Sequence, residues 1–236
     1  EEYPDRLTVL QTPDGRIRIP ASTLRGALRA RARKILILWI HEFWKRRPNQ
    51  EHIENTAARS ATAILEAGKQ ADRLLENLFG STTWASTVQI SDFVSTKAIK
   101  TQDLHHQYFN AIDRFTGGVA EGALYEARAI PIGTELKGQL RLALRAETSI
   151  PPWTRLLLGL VLRDMAMGDI AIGWGKAKGY GTIKLRLEAE STIATLVGFQ
   201  PEDGDDWLAN AIRSELDHGP IAEQPPVDEQ EVLTND

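Results

Sequence analysis

The stretch RIRIPASTLRGALRARARKIL, residues 16–36, runs from an extended segment directly into a basic helix. Apolar residues recur at helical spacing from Leu24 to Trp44, which predicts a long helix with one buried face. Ser22 or Thr23 is the expected N-cap, because a hydroxyl oxygen can accept a hydrogen bond from a free N–H group of the first turn. The stretch therefore predicts a strand followed at once by a helix that carries arginines beside its apolar face.

The composition is that of a globular protein without cysteine chemistry. The chain has 236 residues, of which 42% are hydrophobic and 25% charged, enough for one large domain or a domain with a tail. It contains no cysteine, which excludes disulfides and thiolate metal sites and fits a reducing, cytoplasmic location. The run ILILWI, residues 35–40, is too short to cross a bilayer, so no membrane partner is expected.

The net charge of -4 averages two regions of opposite sign. Residues 188–236 contain thirteen acidic residues and one basic residue, which leaves 27 basic and 19 acidic residues in residues 1–187. A body of net charge +8 favours a polyanionic partner such as nucleic acid, although a surface rich in lysine and arginine is also common without one.

The remaining periodicity predicts an α+β fold. In chain order the pattern indicates a strand, a helix, a helical insertion, three strands, a helix and a final strand, which is compatible with a ferredoxin-like sheet covered by two helices. Beyond residue 190 the sequence is acidic and rich in proline, so we expect one domain over residues 1–190 and a partly disordered extension over 191–236. The segments behind these predictions are the helical insertion within 51–79, strands in TVQISDFVST (87–96) and on both sides of a turn at 131–133, a helix over 151–168 and a last strand in YGTIKLRLE (180–188).

The start of the arginine-rich helix is a candidate phosphate site. The first turn of a helix presents free backbone N–H groups and the positive end of the helix dipole. Ser22 and Thr23 add hydroxyl donors, and Arg25 and Arg29 add planar cations one turn apart. The same residues are also compatible with an ordinary capped helix whose basic face is solvated.

The glycine-rich stretch GWGKAKGYG, residues 173–181, is a second candidate. It precedes a predicted strand, whereas a dinucleotide or P-loop motif follows a strand and opens a helix, so a nucleotide cofactor is disfavoured. Gly175, Lys176, Lys178 and Tyr180 suit close approach to an RNA backbone, because glycine allows approach and lysine and tyrosine supply charge and stacking. A simple glycine turn is the alternative.

A third candidate is NAIDRFTGGVAEGALYEARAIPIG, residues 110–133. Asp113 beside Arg114 is a candidate buried ion pair. Residues 117–124, between apolar segments, are predicted to form a protruding loop.

Four motifs in this order resemble the RAMP superfamily, and most closely the backbone subunit of type III CRISPR effector complexes. They are IPASTLRGALRARA (19–32), LFGS (78–81) with VQISDF (88–93), IDRFTGGVAEGALYEARAIPIGTELKGQL (112–140) and GWGKAKGYGTIKL (173–185). The resemblance covers roughly residues 5–187. It implies a ferredoxin-like fold that stacks into a filament along a guide crRNA, with target RNA, neighbouring backbone subunits, a large signature subunit and small subunits as partners.

The resemblance also implies roles for individual residues. A thumb hairpin would insert beside a displaced base, with Val119, Leu124 or Tyr125 as the wedge and Arg114 among the RNA contacts. In the type III branch an acidic residue ahead of the helix motif cuts target RNA, and counting back from the motif's proline places it at Asp5. A divalent ion such as Mg²⁺ would be held loosely there, since one carboxylate cannot form a two-metal cage.

This sequence departs from the family pattern at several points. Ala21 and Arg25 stand where the family motif has Gly and Lys, and the family's first strand and first glycine loop are absent. The helical insertion and the acidic extension are not general to the family. We therefore expect the natural chain to begin further upstream, or the sequence to be part of a longer protein.

Three other functions stay open at this point. One is an inactive backbone scaffold of the same complex. The second is a crRNA-processing ribonuclease acting alone, for which His41, deep in the long helix, is the only nearby histidine. The third is a generic module for single-stranded RNA.

Overall fold

The computed structural model describes residues 6–45, 57–83, 85–142 and 152–187. Within these ranges, the strand pairs are antiparallel except for β1 with β6. The chain is thus α+β, as the sequence predicts, and this composition is consistent with a ferredoxin-like fold. The elements are β1 (Arg6–Leu7), β2 (Arg16–Ile19), α1 (Ala21–Lys45), α2 (Ala57–Phe79), β3 (Val88–Ile90), β4 (Phe93–Ala98), β5 (His105–Ile112), β6 (Val119–Ala129), β7 (Leu136–Lys137), β8 (Leu140–Leu142) and α3 (Pro152–Met167).

The first of two compact units contains the strands. Its described residues are 6–27, 88–142 and 171–181. Its strands form one sheet in the order β1-β6-β5, a second in the order β2-β4-β7, and a pair of β3 with β8. Burial of alternate β2 residues agrees with the period of two expected for a half-buried strand. The buried apolar residues of this unit include Ile17, Ile19, Leu24, Val88, Leu104, Ala127 and Ile172.

A buried hydroxyl holds β2 to β4 where their register shifts. The shift falls between Arg16 and Arg18. Ser95 on β4 is 2% exposed, and its Oγ accepts a hydrogen bond from the Ile17 N–H at 2.9 Å and donates to the Lys97 carbonyl at 2.6 Å. The side chain thereby satisfies a backbone group that the shifted ladder would leave unpaired.

The second unit is built from helices. Its described residues are 28–45, 57–83, 85–87, 152–170 and 182–187, so it takes in α1 from residue 28 onward. Leu28, Ala32, Leu36 and Ile40 recur every four residues of α1 and are buried, as expected for one apolar helix stripe. On α2 the buried stripe is Ala67, Ala71, Leu75 and Leu78, and on α3 the run from Leu156 to Leu162 is buried.

Arginine–aspartate pairs join α1 to the other helices of this unit. Arg33 donates to both carboxylate oxygens of Asp72 on α2, at 2.8 and 3.1 Å. Hydrogen bonding to Arg33 lowers the pKa of Asp72. Hydrogen bonding to Asp72 raises the pKa of Arg33. Arg31 donates to the buried Asp164 on α3 at 2.7 Å, and Arg163 donates to the other oxygen at 2.9 Å.

The helices predicted from the sequence are confirmed, with residues 51–56 of the second one outside the described residues. The predicted strand in TVQISDFVST is two short strands, β3 and β4, separated at Ser91 and Asp92. The predicted last strand over 180–188 is wrong for the described part. There the N–H groups of Ile183 and Leu185 donate to the Ile170 and Met165 carbonyls, so this segment follows the end of α3 instead of extending a sheet.

The predicted extension over 191–236 lies outside the described residues. Within the part of the chain that the structure describes, no helix is both long enough and apolar enough to cross a membrane.

Candidate nucleic-acid interface

A long hairpin dominates the strand unit. β5 and β6 pair antiparallel, with Phe109 opposite Tyr125 and Tyr108 opposite Glu126. Because side chains alternate along a strand, Phe109 and Tyr125 share one face, and Glu126 lies on the other. The hairpin therefore presents an aromatic face and a charged face.

Asp113 builds the turn at the end of this hairpin. Its Oδ1 accepts hydrogen bonds from the N–H groups of Phe115 and Thr116, at 2.7 and 3.2 Å. Its backbone N–H donates to the Gly118 carbonyl, and Gly117 adopts a φ of 68°, which glycine tolerates. This turn leaves the Phe115 side chain 99% exposed.

The predicted loop over residues 117–124 is therefore wrong in its bounds. The turn covers residues 113–118, and from Val119 onward the chain pairs with β5. The predicted buried pair of Asp113 and Arg114 is also wrong, because Arg114 is exposed and the Asp113 carboxylate serves the turn's backbone. The error has a physical cause: glycines suggested a loop, whereas the alternating residues after them complete a strand.

The three predicted wedge residues lie on this hairpin but in different surroundings. Val119 and Leu124 are exposed, as a wedge requires. Tyr125 is half-buried, and its ring stacks on Phe109 with a centroid distance of 5.4 Å.

The glycine-rich loop folds back on itself through left-handed glycines. Gly175 and Gly179 flank a short 3₁₀ turn over residues 176–178 and adopt φ values of 74° and 85°. A Cβ added at Gly175 would lie 3.1 Å from Tyr180 Cδ2, so the backbone and this ring pack closely. Lys176 is exposed, as an RNA contact requires.

An aromatic cluster joins this loop to the aromatic face of the hairpin. The aromatic cluster consists of Phe109, Tyr125, Trp174 and Tyr180. The Phe109 ring centroid lies 5.1 Å from that of Trp174 and 6.2 Å from that of Tyr180, both in edge-to-face geometry. Trp174 also lies 5.9 Å from Tyr125 and 6.0 Å from Tyr180. These are favourable distances for aromatic pairs, so the cluster holds the loop against the hairpin.

The ammonium group of Lys178 packs against the rings of the aromatic cluster. Its Nζ lies 4.0 Å from the Phe109 ring centroid and 4.9 Å from that of Trp174, in cation–π geometry. It also donates a hydrogen bond to the Tyr125 hydroxyl at 3.1 Å. Lys178 thus contacts side chains of the hairpin, whereas the sequence predicts a lysine that contacts the backbone of a bound RNA.

The start of α1 is capped from a distant part of the chain. Ala21 is the first helical residue, and its N–H donates to Asp92 Oδ1 at 2.8 Å. This hydrogen bond, with that from Arg18 Nε at 2.6 Å, lowers the pKa of Asp92. The predicted N-cap role of Ser22 or Thr23 is therefore wrong: both lie inside the first turn and are exposed.

The two predicted arginines follow along α1. Arg25 and Arg29 are half-buried and one turn apart. The Nε of Arg25 is buried and has no hydrogen-bond partner among the described residues. The carboxylate of Asp92 already occupies the position that the sequence assigned to a phosphate, and the side chains of Ser22 and Thr23 are exposed.

The charged face of the hairpin carries an ion cluster. His106 Nδ1 lies 2.8 Å from Glu126 Oε1, and Arg128 Nε donates to the same oxygen at 2.9 Å. His105 points to the opposite face by strand alternation, so the two adjacent histidines are separated. In the described ranges no group of three or more His, Asp or Glu side chains is placed to hold a metal ion. Asp5, the predicted catalytic and metal-binding residue, lies outside the described residues.

Sequence reasoning missed four residues that shape this surface: Phe109, Phe115, Trp174 and Asp92. Trp174 and Phe115 both stand inside motifs that the sequence analysis singled out, and an aromatic residue within a glycine-rich segment is a usable signal. Asp92 gives no local signal, because it lies 71 residues from the helix it caps.

Comparison with known sequences identifies the family. The sequence model of the RAMP superfamily matches residues 2–184. A comparison with curated proteins gives no match. Because the family match spans most of the chain, the protein belongs to the RAMP superfamily, and this membership indicates a CRISPR-associated RNA-binding module.

Proposed function

We propose that the protein is a crRNA-binding backbone subunit of a type III CRISPR interference complex and that it cleaves target RNA complementary to its guide. Its partners in this proposal are the crRNA, the target RNA, neighbouring backbone subunits, and the large and small subunits of the complex. The observation that carries the proposal is the β5–β6 hairpin, whose turn holds an apolar ring, Phe115, fully in solvent. A ring held in solvent at the end of a two-stranded hairpin is free to enter a base step, as a wedge requires.

The hairpin is suited to wedge between bases. Apolar and aromatic side chains can occupy the space of an unstacked base, at a cost of a few kcal/mol that other contacts must offset. Phe115 at the turn, with Val119 and Leu124 behind it, supplies such a wedge. Tyr125 supports the hairpin from its base through the Phe109 contact.

Phosphate contacts would supply the offsetting free energy. The exposed Ser22 and Thr23, with Arg25 and Arg29 on the same helix, are the proposed contacts on α1. Lys176 is the proposed contact on the glycine-rich loop, and Arg114 the one beside the hairpin turn. Such contacts release counter-ions, so they make RNA binding dependent on salt.

Cleavage is proposed to use the RNA's own 2′-hydroxyl. The 2′-oxygen attacks the adjacent phosphorus, the bond from phosphorus to the 5′-oxygen breaks, and the leaving 5′-oxygen takes a proton from water. The products are a 2′,3′-cyclic phosphate and a 5′-hydroxyl. Asp5 is the proposed base that accepts the 2′-hydroxyl proton. The proposal includes a divalent ion, such as Mg²⁺, held loosely at Asp5, because a carboxylate is a suitable ligand for it. The described residues contain no cluster that would hold it without the RNA, so no step is assigned to it.

The test is target cleavage by an Asp5→Asn variant. This substitution keeps the shape of the side chain and removes its charge, so guide and target binding should be retained. Cleavage should fall by about a hundredfold or more, the usual scale for loss of an acid–base group. Asp14→Asn, in the turn over residues 12–15, is the matched control and should cleave at the normal rate.

Two further measurements separate the alternatives. Uniform repeat-tagged guides among co-purified RNA would support a complex subunit, whereas heterogeneous RNA would support a generic RNA-binding module. Chelation with EDTA should stop cleavage if the ion takes part. A wild-type protein that binds a matched target but never cuts it with Mg²⁺ present would be a scaffold, and the cleavage part of the proposal would fail.

A further inference from the structure

The aromatic cluster has features that internal packing does not explain. It joins two segments at the surface, and its largest ring, Trp174, is 40% exposed. Trp174 stands between Gly173 and Gly175, which both adopt positive φ, and its ring is held by contacts with Phe109, Tyr125 and Tyr180. An exposed tryptophan that is held rigidly, beside two lysines of the same loop, is a platform for a flat ligand that carries negative charge.

Lys178 retains hydrogen-bonding capacity at this platform. An ammonium group has three N–H donors, and the Tyr125 hydroxyl takes one of them. Among the described residues Lys178 has no other hydrogen-bond acceptor. Its Nζ lies over the Trp174 ring, 4.9 Å from the centroid, and so covers one side of the indole. A nucleotide whose base stacks on the rest of the indole surface can accept a hydrogen bond from Lys178 through its ribose or phosphate, at the edge of the ring.

We propose that the exposed part of the Trp174 ring, backed by the rest of the aromatic cluster, stacks on one unpaired base of the bound RNA, and that Lys178 donates to the ribose or phosphate of the same nucleotide. This inference rests on the proposed RNA-binding function and names the site at which a base is held. A nucleobase fits because it combines a flat π-surface with acceptor atoms and is joined to a phosphate that Lys176 can meet. The site differs from the hairpin turn, where Phe115 would separate bases instead of receiving one.

The size of the effect follows from general stacking data. A base stacked on an aromatic side chain contributes enough that its loss weakens binding about five- to 150-fold. Stacking is tolerant of sequence, but a purine covers more of an indole ring than a pyrimidine does. Oligoadenylate should therefore bind more tightly than oligouridylate, and removal of Trp174 should abolish this difference.

The experiment compares RNA with and without bases. The full chain is titrated with an oligoadenylate of about 12 nucleotides and with a ribose–phosphate chain of the same length that lacks all bases. Trp174→Ala should weaken binding of the oligoadenylate about five- to 150-fold and leave binding of the baseless chain unchanged. Because no charge is removed, the salt dependence should also stay the same. Lys176→Ala is the contrasting variant, since it should weaken binding of both chains and reduce the salt slope by about one.

Each outcome decides the inference. Equal affinity of wild type and Trp174→Ala for the oligoadenylate, or equal losses on both chains, would overturn it and leave the cluster as internal packing. If the alanine variant does not fold, Trp174→Phe keeps a ring of smaller area, and a retained preference for oligoadenylate over the baseless chain is then required. A wild type that binds neither chain would refute the proposed RNA-binding function itself.

Discussion

Replacing Phe115 by alanine should separate RNA recognition from folding. Phe115 is 99% exposed, so its truncation removes almost no surface that folding buries. The free energy of unfolding should change by less than about 0.5 kcal/mol, the range of ordinary surface substitutions. Any large effect of this variant on RNA must then arise in the complex.

The expected effect on RNA follows from the area that the ring can bury. A phenylalanine covers roughly 150–250 Å² when enclosed, worth up to about 4–6 kcal/mol at about 25 cal/mol per Å². Unstacking the bases that it separates costs a few kcal/mol. The difference leaves about 1–3 kcal/mol, so Phe115→Ala should weaken target binding about five- to 150-fold.

The assay places 2-aminopurine, whose fluorescence rises on unstacking, at successive positions of the target strand. Wild type should show regularly spaced bright positions, and Phe115→Ala should lose them. Ile132→Ala is the matched control, because Ile132 is also a fully exposed apolar residue but lies in the turn between β6 and β7. Uniform, dim fluorescence with the wild type, or equal losses for both variants, would refute the wedge.

Three further predictions concern charges. Replacing Arg25 and Arg29 together by alanine should weaken RNA binding and reduce its salt slope by about one for each phosphate that the variant no longer neutralises, and an unchanged slope would contradict the proposed contacts. Asp164→Ala should lower the free energy of unfolding, measured in urea, by about 2–3 kcal/mol, because Asp164 is 2% exposed and its two arginine partners can partly return to water. Asp169→Ala, at an exposed position nearby, should change it by less than about 0.5 kcal/mol. The guanidinium that bonds to Asp72 holds its pKa below 3.8, so this pair stabilises the fold above that pH, and wild type should lose stability relative to Asp72→Asn as the pH falls below about 4.

The helices could be predicted from the sequence because their signal is local. The apolar stripe of α1 repeats every four residues, and α3 opens with proline and ends before Gly168, which adopts a φ of 87°. Spacing and end signals of this kind depend only on neighbours in the chain. The same reasoning placed the turn at residues 131–133 and the strand before it, whereas the single strand predicted after the turn is two short strands, β7 and β8, in different sheets.

The surface was less predictable because distant residues build it. The Asp92 carboxylate replaces the hydroxyl cap that the local pattern favoured, and Lys178 meets rings from strands more than 50 residues away. The last predicted strand had the right composition, yet pairing needs a neighbouring strand, which periodicity does not supply. Sequence reasoning therefore identified segments of this surface more readily than the contacts between them.

Asp92 already supplies a negative charge at the start of α1, where the proposed phosphate would bind. Asp92 already balances the positive end of the helix and the charge of Arg18, to which it bonds at 2.6 Å. A phosphate that arrives there displaces one anion by another, so few additional counter-ions leave the RNA on its account. If the helix start binds phosphates as proposed, salt titrations will report the arginine and lysine contacts and will underestimate the number of phosphates bound at the helix start.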